Sequence, residues 1–448
     1  MQFARKGKSL PQTSKRSTAL NVSLNSVSIE KIIDVFVIAL VLSKIFFLDF
    51  FGLGGIAGLI ASALIIYRLC FGGWRMPLPF LALVGIGVLL VFLSILAGPW
   101  SIDNVRYNLT SILSSEIYLI YVAFLRDVNP SLIRLDGKYV LPLFNSIYFI
   151  NYFVMVQQAS VPYSIAAAAP SDWEISFYSD LVSGLFMYAS THAVAFFTVF
   201  VTLLNINKTQ KASGSKKAIF AIVLILVIAT ALHISTLNDN KAVFMLLPLG
   251  VVVYFLQGLP KLSVPRFLKD ITIALIAAGG IFVLVQNNRF VADFIDDNVL
   301  QLLEIIDSSR GMGSSVQGSG ERIAIIQHAL SLPSTWLFGL GVGAATIQQP
   351  YFEGFAHFGQ ADFGSVLILF GIWFFGLLVV GYAYLFSRCE KGEGKAILFC
   401  SIVLLVVVSS LYSQCFSRLN NSICLILICL IITEGRNINA ANNKMVRE

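Results

Sequence analysis

Apolar residues in this chain come in long runs rather than in alternating or strictly amphipathic patterns. The runs lie near 32–48, 54–69, 78–97, 107–125, 139–157, 181–204, 218–236, 242–257, 271–286, 363–386, 396–413 and 422–434. An α-helix rises 1.5 Å per residue, so ~20 apolar residues cross the ~30 Å core of a bilayer. Backbone polar groups must be satisfied within lipid, and a continuous apolar run does so as a helix. The pattern therefore predicts an all-α, polytopic integral membrane protein with about 12 transmembrane helices. Polar residues gather between the runs and in one long segment, 287–362, whose apolar residues return at helical spacing. Over 290–307, Phe290, Phe294, Leu300, Leu303 and Ile306 oppose Asp296, Asp297, Glu304 and Asp307. ERIAIIQHAL predicts a second amphipathic helix, ending near Ser331-Leu332-Pro333. Between the two, GMGSSVQGSG (311–320) reads as a flexible joint.

Composition agrees with the pattern. Of 448 residues, 57% are hydrophobic and 12% charged, against about 25% charged in soluble domains. A soluble enzyme, a secreted disulfide scaffold and a disordered chain are excluded. The six cysteines lie in or beside apolar runs with no CxxC pair, so they read as lipid- or core-facing residues. The first 31 residues are Ser-rich and basic without an apolar segment ending in a cleavage site, and read as a disordered cytoplasmic tail.

Charge assigns sides. With the N-terminus inside, the inner links and both tails hold 24 of the 31 basic residues, as in Lys208, Lys211, Lys216 and Lys217 of one link. Six stand outside: Arg106, Lys241, Arg289, Arg310, Arg322 and Arg418; Lys44 alone lies within a span. This is the positive-inside bias, and it places both termini in the cytoplasm. The expected organisation is a tail over 1–31, helices one to nine over 32–286, an extracytoplasmic loop with amphipathic helices over 287–362, helices ten to twelve over 363–434, and a tail over 435–448. The net charge of +7 then reports orientation and implies no nucleic-acid partner.

Candidate chemistry lies on the acidic outer side. An outer basic residue reads blandly as a loop residue paired with a carboxylate, and functionally as an anion clamp. Arg322 opens a helix after a Gly/Ser joint, where backbone donors and positive charge converge. Lys241, beside Asn240, sits at the turn between spans seven and eight, and Arg289 closes span nine. WLFGLGVG is no dinucleotide fingerprint, since no strand precedes it; Gly339 and Gly341 permit a tight turn near a ligand or helix. His357 and Asp362, five residues apart before span ten, are candidates for handling a proton. His192, early in span six, is either a buried, hydrogen-bonded histidine or a further site residue; His233 and His328 read as structural. Asp34, Lys44 and Glu116 lie within spans at ~2.5–3.5 kcal/mol each unless paired or wet. Glu116 with Lys44 would be a structural pair; Glu116 alone would be a proton-coupling carboxylate, as in a transporter. No HExxH, DxD or Cys/His cluster suggests a metal.

The segment GSGERIAIIQHALSLPSTWLFGLGVG, followed by AHFGQADFGSVLILFGIWFFGLL, resembles the outer-loop pattern of the bacterial O-antigen and capsular polysaccharide polymerases (Wzy-type) and the related O-antigen ligases. SGLFMYASTHAVAFF (183–197) resembles their GLF element, and LNDNKAVFMLL their polar turn at spans seven and eight. The close match covers about 70 residues. Here Asn240-Lys241 stands where that family usually carries Ser-Arg, and Leu181-Val182 where an Arg often precedes the GLF element. A ligase-like His-Asn at span ten is absent, which favours a polymerase over a ligase.

The resemblance implies a glycosyltransferase of the bacterial inner (plasma) membrane with an extracytoplasmic active site, in lipopolysaccharide or capsule biosynthesis. It would move a glycan from undecaprenyl (polyprenyl) pyrophosphate to the non-reducing end of the next lipid-linked repeat unit. Arg322, Lys241 and Arg289 would face the pyrophosphate, Asp362 or His357 the acceptor hydroxyl, and His192, Asn240, Gly339 and Gly341 would bind substrate. No cofactor, metal or nucleotide sugar is required. The implied partners are the lipid-linked oligosaccharide, the bilayer, and a chain-length regulator and flippase of the same pathway. A ligase-type glycan transferase and a polytopic transporter or flippase are the alternatives.

Overall fold

The computed structural model describes residues 29–73, 77–98, 101–128, 137–160, 182–186, 191–237, 242–256, 319–346 and 362–387. Every element among them is helical. In chain order they are α1 (Ile29–Ser43) running into a π-helical turn (Lys44–Leu48), α2 (Gly54–Phe71), α3 (Leu78–Ala97), α4 (Ile102–Val128) and α5 (Gly137–Ser160). A 3₁₀ turn (Gly184–Phe186) follows, then α6 (Thr191–Lys211), α7 (Gly214–Leu237), α8 (Ala242–Leu256), α9 (Ser319–Ser331), a 3₁₀ turn (Pro333–Trp336) and α10 (Asp362–Ser387). Five stretches are long and apolar enough to cross a membrane: Gly54–Phe71, Leu78–Ala97, Ile102–Leu125, Gly214–Ser235 and Asp362–Gly381. The expected runs at 271–286, 396–413 and 422–434, and the amphipathic segment 290–307, lie outside the described residues.

α3 shows how sequence makes such an element. Pro79 stands in its first turn, where no intrahelical donor is needed, and Gly98 ends it in extended backbone. Its 20 residues span ~30 Å. Few of its side chains turn inward, among them Phe80, Leu90 and Ser94, while Leu78, Val88 and Leu96 are 77%, 66% and 60% exposed. Ile56 and Leu59 of α2 and Ile219, Ile222 and Ile225 of α7 project in the same way. Large apolar side chains displayed along whole helices suit a lipid surround, since water would charge ~25 cal/mol for each Å² left uncovered.

The interior is continuous. α1 packs on α2 and α2 on α4; α6 packs on α5, α7 and α8, and α7 on α5 and α8; α10 packs on α3, α9 and the second 3₁₀ turn. Aromatic rings join the first two groups. Phe197 lies 5.2 Å from Phe46, 5.6 Å from Phe186 and 5.8 Å from Phe144, in tilted arrangements; such pairs contribute ~0.5–1.5 kcal/mol beyond their burial.

Two buried cations of the first helices, Arg68 and Lys44, are each paired with a carboxylate. Arg68 donates from Nε to Asp34 Oδ1 at 2.8 Å and from Nη2 to Oδ2 at 2.9 Å. Tyr121 donates to the same Oδ1 at 2.8 Å, and the guanidinium stands 5.1 Å from the Phe124 ring centre. Lys44 pairs with Asp49 at 2.9 Å across the π-helical turn. Of the two readings of Glu116, a pair with Lys44 or a carboxylate on its own, the ion pair that Lys44 makes is with Asp49, which the π turn carries back over the ammonium.

Two further expectations change. The run 181–204 is not one helix. Gly184 takes a positive φ of 65°, the GLF residues form a 3₁₀ turn, and α6 starts at Thr191. The run 363–386 is interrupted at Gly371, whose φ of 81° and ψ of 173° are non-helical. That leaves nine residues before the break and 16 after it. At 1.5 Å per residue, neither piece alone covers ~30 Å. Just before the break the Leu369 carbonyl accepts from Ser94 at 2.7 Å, and the second piece then runs antiparallel to α3, with Leu377 against Gly87 and Tyr384 stacked on Phe80.

Candidate functional site

The Gly-rich turn after α9 is the centre of a polar assembly. Leu337 N–H and Gly339 N–H both donate to Ser334 O, at 3.0 and 2.9 Å, closing the chain on itself. Gly339 and Gly341 have φ of 77° and 103°, a backbone region that L side chains avoid. Their faces are occupied by protein: a Cβ on Gly339 would stand 2.6 Å from Ile368 O, and one on Gly341 2.6 Å from Gly98 Cα. Gly371 in turn lies against the Leu337 carbonyl. The three glycines let the turn, the end of α3 and the break in α10 approach at backbone distance.

Polar side chains clamp the turn. Leu340 N–H donates to Ile368 O at 2.6 Å and Val342 N–H to Ser94 O at 3.3 Å. From α4, Asn104 donates to Gly343 O at 3.0 Å, and Asn108 donates to Val342 O and Ala345 O, both at 2.7 Å. Sequence reasoning did not single out Asn104 and Asn108. The available signal was their i, i+4 spacing on one face of a membrane-length helix, where amides need partners.

Around this clamp the structure gathers part of the expected site. Arg322 lies in the first turn of α9. One helical turn later Ile325 is buried against Gly364, two residues from Asp362. Asp362 opens α10 and is fully buried. On α4, Glu116 lies on the face that carries Asn108 and Ile112, within reach of the Asp362 charge. Its Oε1 is buried with no hydrogen-bond partner among the described residues.

His192 is placed elsewhere. It is the second residue of α6 and belongs to the α5–α8 group, near the GLF turn. That turn is held from α5: Leu185 N–H donates to Asn151 Oδ1 at 2.7 Å and Gly184 N–H to Gln158 Oε1 at 2.8 Å. Lys241, Asn240, Arg289 and His357 lie outside the described residues. His233 accepts or donates at 2.7 Å with the Tyr152 hydroxyl. No group of three or more His, Cys, Asp or Glu side chains converges among the described residues.

The assembly thus sets two chemistries side by side. The start of α9, whose first turn carries Arg322, presents the backbone N–H groups of a helix N-terminus. The start of α10 and the middle of α4 carry the carboxyl groups of Asp362 and Glu116. No protein-family model matches the chain, and no curated protein matches it either.

Proposed function

We propose that the protein polymerises lipid-linked oligosaccharide repeat units, with twelve spans, cytoplasmic termini and a working face outside the plasma membrane. The donor would be a glycan on polyprenyl pyrophosphate and the acceptor the non-reducing end of the next unit. Beyond the sequence resemblance, one observation carries the reading. The Arg322-bearing turn of α9, the 337–346 turn and Asp362, separate parts of the resembling segment, pack as one unit.

In this reading the acceptor oxygen attacks the anomeric carbon, the bond to pyrophosphate breaks, and the leaving group takes the electron pair. Arg322, with Lys241 and Arg289, would stabilise that developing charge; one such donor is worth ~10²–10³ in rate. Asp362 or His357 would orient the hydroxyl. The Gly339–Gly341 turn would hold α9 and α10 in register. Arg322→Ala is expected to leave the protein inserted and abundant while cells make only single-repeat glycan. Normal long-chain glycan from that variant would refute the assignment.

A second reading, a transporter or flippase, is favoured by the break at Gly371 and the neighbouring buried carboxyls, because discontinuous helices and intramembrane acids line transport paths. It predicts translocation of the lipid-linked unit without any change in glycan length.

A further inference from the structure

The end of α9 and the 3₁₀ turn after it display apolar surface in a segment whose sequence places it outside the spans. Leu330, Trp336 and Leu337 are 40%, 53% and 57% exposed. Their level in the fold is set by α3, whose 20 residues cover ~30 Å, the thickness of a hydrocarbon layer. Exposed Phe92 and Leu96 keep the surface of α3 apolar up to its last turn. The segment after α9 docks beside that same stretch. Val342 N–H donates to Ser94 O at 3.3 Å, and Gly98 abuts the Leu340 carbonyl. The Leu337 carbonyl lies against Gly371, two residues after Leu369, whose own carbonyl accepts from Ser94. Ser94 is four residues before Gly98, so these contacts fall within ~6 Å of the end of α3. The exposed surface of the turn thus continues the lipid-facing surface of α3.

A chain that turns at this depth must satisfy its polar groups without water. The last four carbonyls of a helix ordinarily look to solvent. In α9, His328 O accepts from Ser331 Oγ at 2.7 Å, Ala329 O from Thr335 Oγ1, and Leu330 O from Trp336 Nε1 at 3.1 Å. Beyond the helix, Leu332 O accepts from Thr335 N–H at 3.2 Å, and Ser334 O accepts from Leu337 N–H and Gly339 N–H. Pro333 brings no N–H of its own. Trp336 is the most informative of these residues. An indole at a membrane interface ordinarily keeps its N–H toward water or headgroups. Here that N–H is turned back onto α9, and the rest of the exposed side chain is apolar.

We propose that Leu330, Trp336 and Leu337 form a lipid-docking surface, which seats the turn after α9 among the phospholipid acyl chains of the leaflet at the C-terminal end of α3. The segment between α9 and the Gly-rich turn is then an immersed turn rather than a loop in water. α9 comes down to the membrane, and the turn bonded by Asn104 and Asn108 stands at the edge of the hydrocarbon layer. The inference needs no particular activity and stands apart from the polymerase reading.

The test uses the full-length protein in phosphatidylcholine nanodiscs, which leave both faces open to solutes. A variant that keeps Trp336 alone, with Trp74, Trp100, Trp173 and Trp373 replaced by Phe, reports the surroundings of the turn. Bromine on the lipid acyl chains should remove most of its emission, and acrylamide in the water should leave that emission nearly unchanged. Quenching by acrylamide without quenching by brominated lipid would overturn the inference. Emission untouched by either would put the ring under another part of the chain and overturn it equally. Should the four replacements prevent folding, the difference in emission between wild type and Trp336→Phe gives the same information. The emission lost with Trp336 should be the part that brominated lipid quenches; if acrylamide alone quenches that part, the inference is wrong.

Discussion

Replacing Arg68 by Met tests whether the helical core depends on charges matched inside it. Asp34 is wholly buried, and in the native protein it receives two hydrogen bonds from Arg68 and one from Tyr121. Removing Arg68 leaves one neutral donor to a carboxylate that cannot reach solvent. Breaking a buried pair in this way costs ~3–5 kcal/mol, whereas replacing both partners by apolar residues is often neutral or stabilising by ~1–4 kcal/mol. Arg68→Met should therefore lose ~3–5 kcal/mol, and Asp34→Leu combined with Arg68→Met should recover most of it. Reversible unfolding of the purified protein in mixed detergent–lipid micelles, followed by Trp fluorescence, measures both. The coupling between the two positions should exceed ~2 kcal/mol, above the usual scatter of additivity. A single variant within ~1 kcal/mol of wild type, or a double variant no better than the single, would refute the reasoning.

Two other perturbations address the site scaffold. Gly371→Ala forces an L side chain into a left-handed φ, at ~1–2 kcal/mol, and drives its Cβ into the Leu337 carbonyl; folded yield should fall, while Gly376→Ala, where a Cβ meets nothing within 4 Å, should stay within ~0.5 kcal/mol of wild type by the same unfolding assay. Asn108→Ala strips the donors from the Val342 and Ala345 carbonyls, at ~1–3 kcal/mol for each group left unpaired; hydrogen exchange at the Leu340 and Val342 amides should accelerate, and unchanged protection would contradict the clamp.

Helices were legible in the sequence wherever an apolar run was bounded by strong local signals. The run at 78–97 lies between Pro77 and Gly98, and α3 occupies those same residues. The amphipathic spacing of ERIAIIQHAL and the Leu332-Pro333 stop define α9 almost as well. What was not legible depends on contacts between distant segments. Gly371 sits in a continuous apolar stretch, and nothing local distinguishes it from Gly376. Only the close backbone of Leu337 and Gly339 makes it a break. The partner of Lys44 was hidden for another reason, because a π turn shifts spacing by one residue and brings Asp49 over the charge. Of the expected site, Asp362 and the two turn glycines stand around a common clamp and Arg322 lies nearby on α9, since they belong to neighbouring segments joined by that turn. His192 does not share this neighbourhood, because the GLF turn is tied to α5 by Asn151 and Gln158. The clamp itself, Asn104 and Asn108, escaped notice because an amide carries no charge to mark it.

The most direct test of the proposed activity is reconstitution. Full-length protein in vesicles, given purified polyprenyl-pyrophosphate-linked repeat units, should convert them to a ladder of longer glycans still attached to the lipid carrier. Arg322→Ala, in the same vesicles, should give none. Movement of the unmodified unit across the vesicle membrane, or transfer of glycan to a different acceptor with no ladder, would contradict the account.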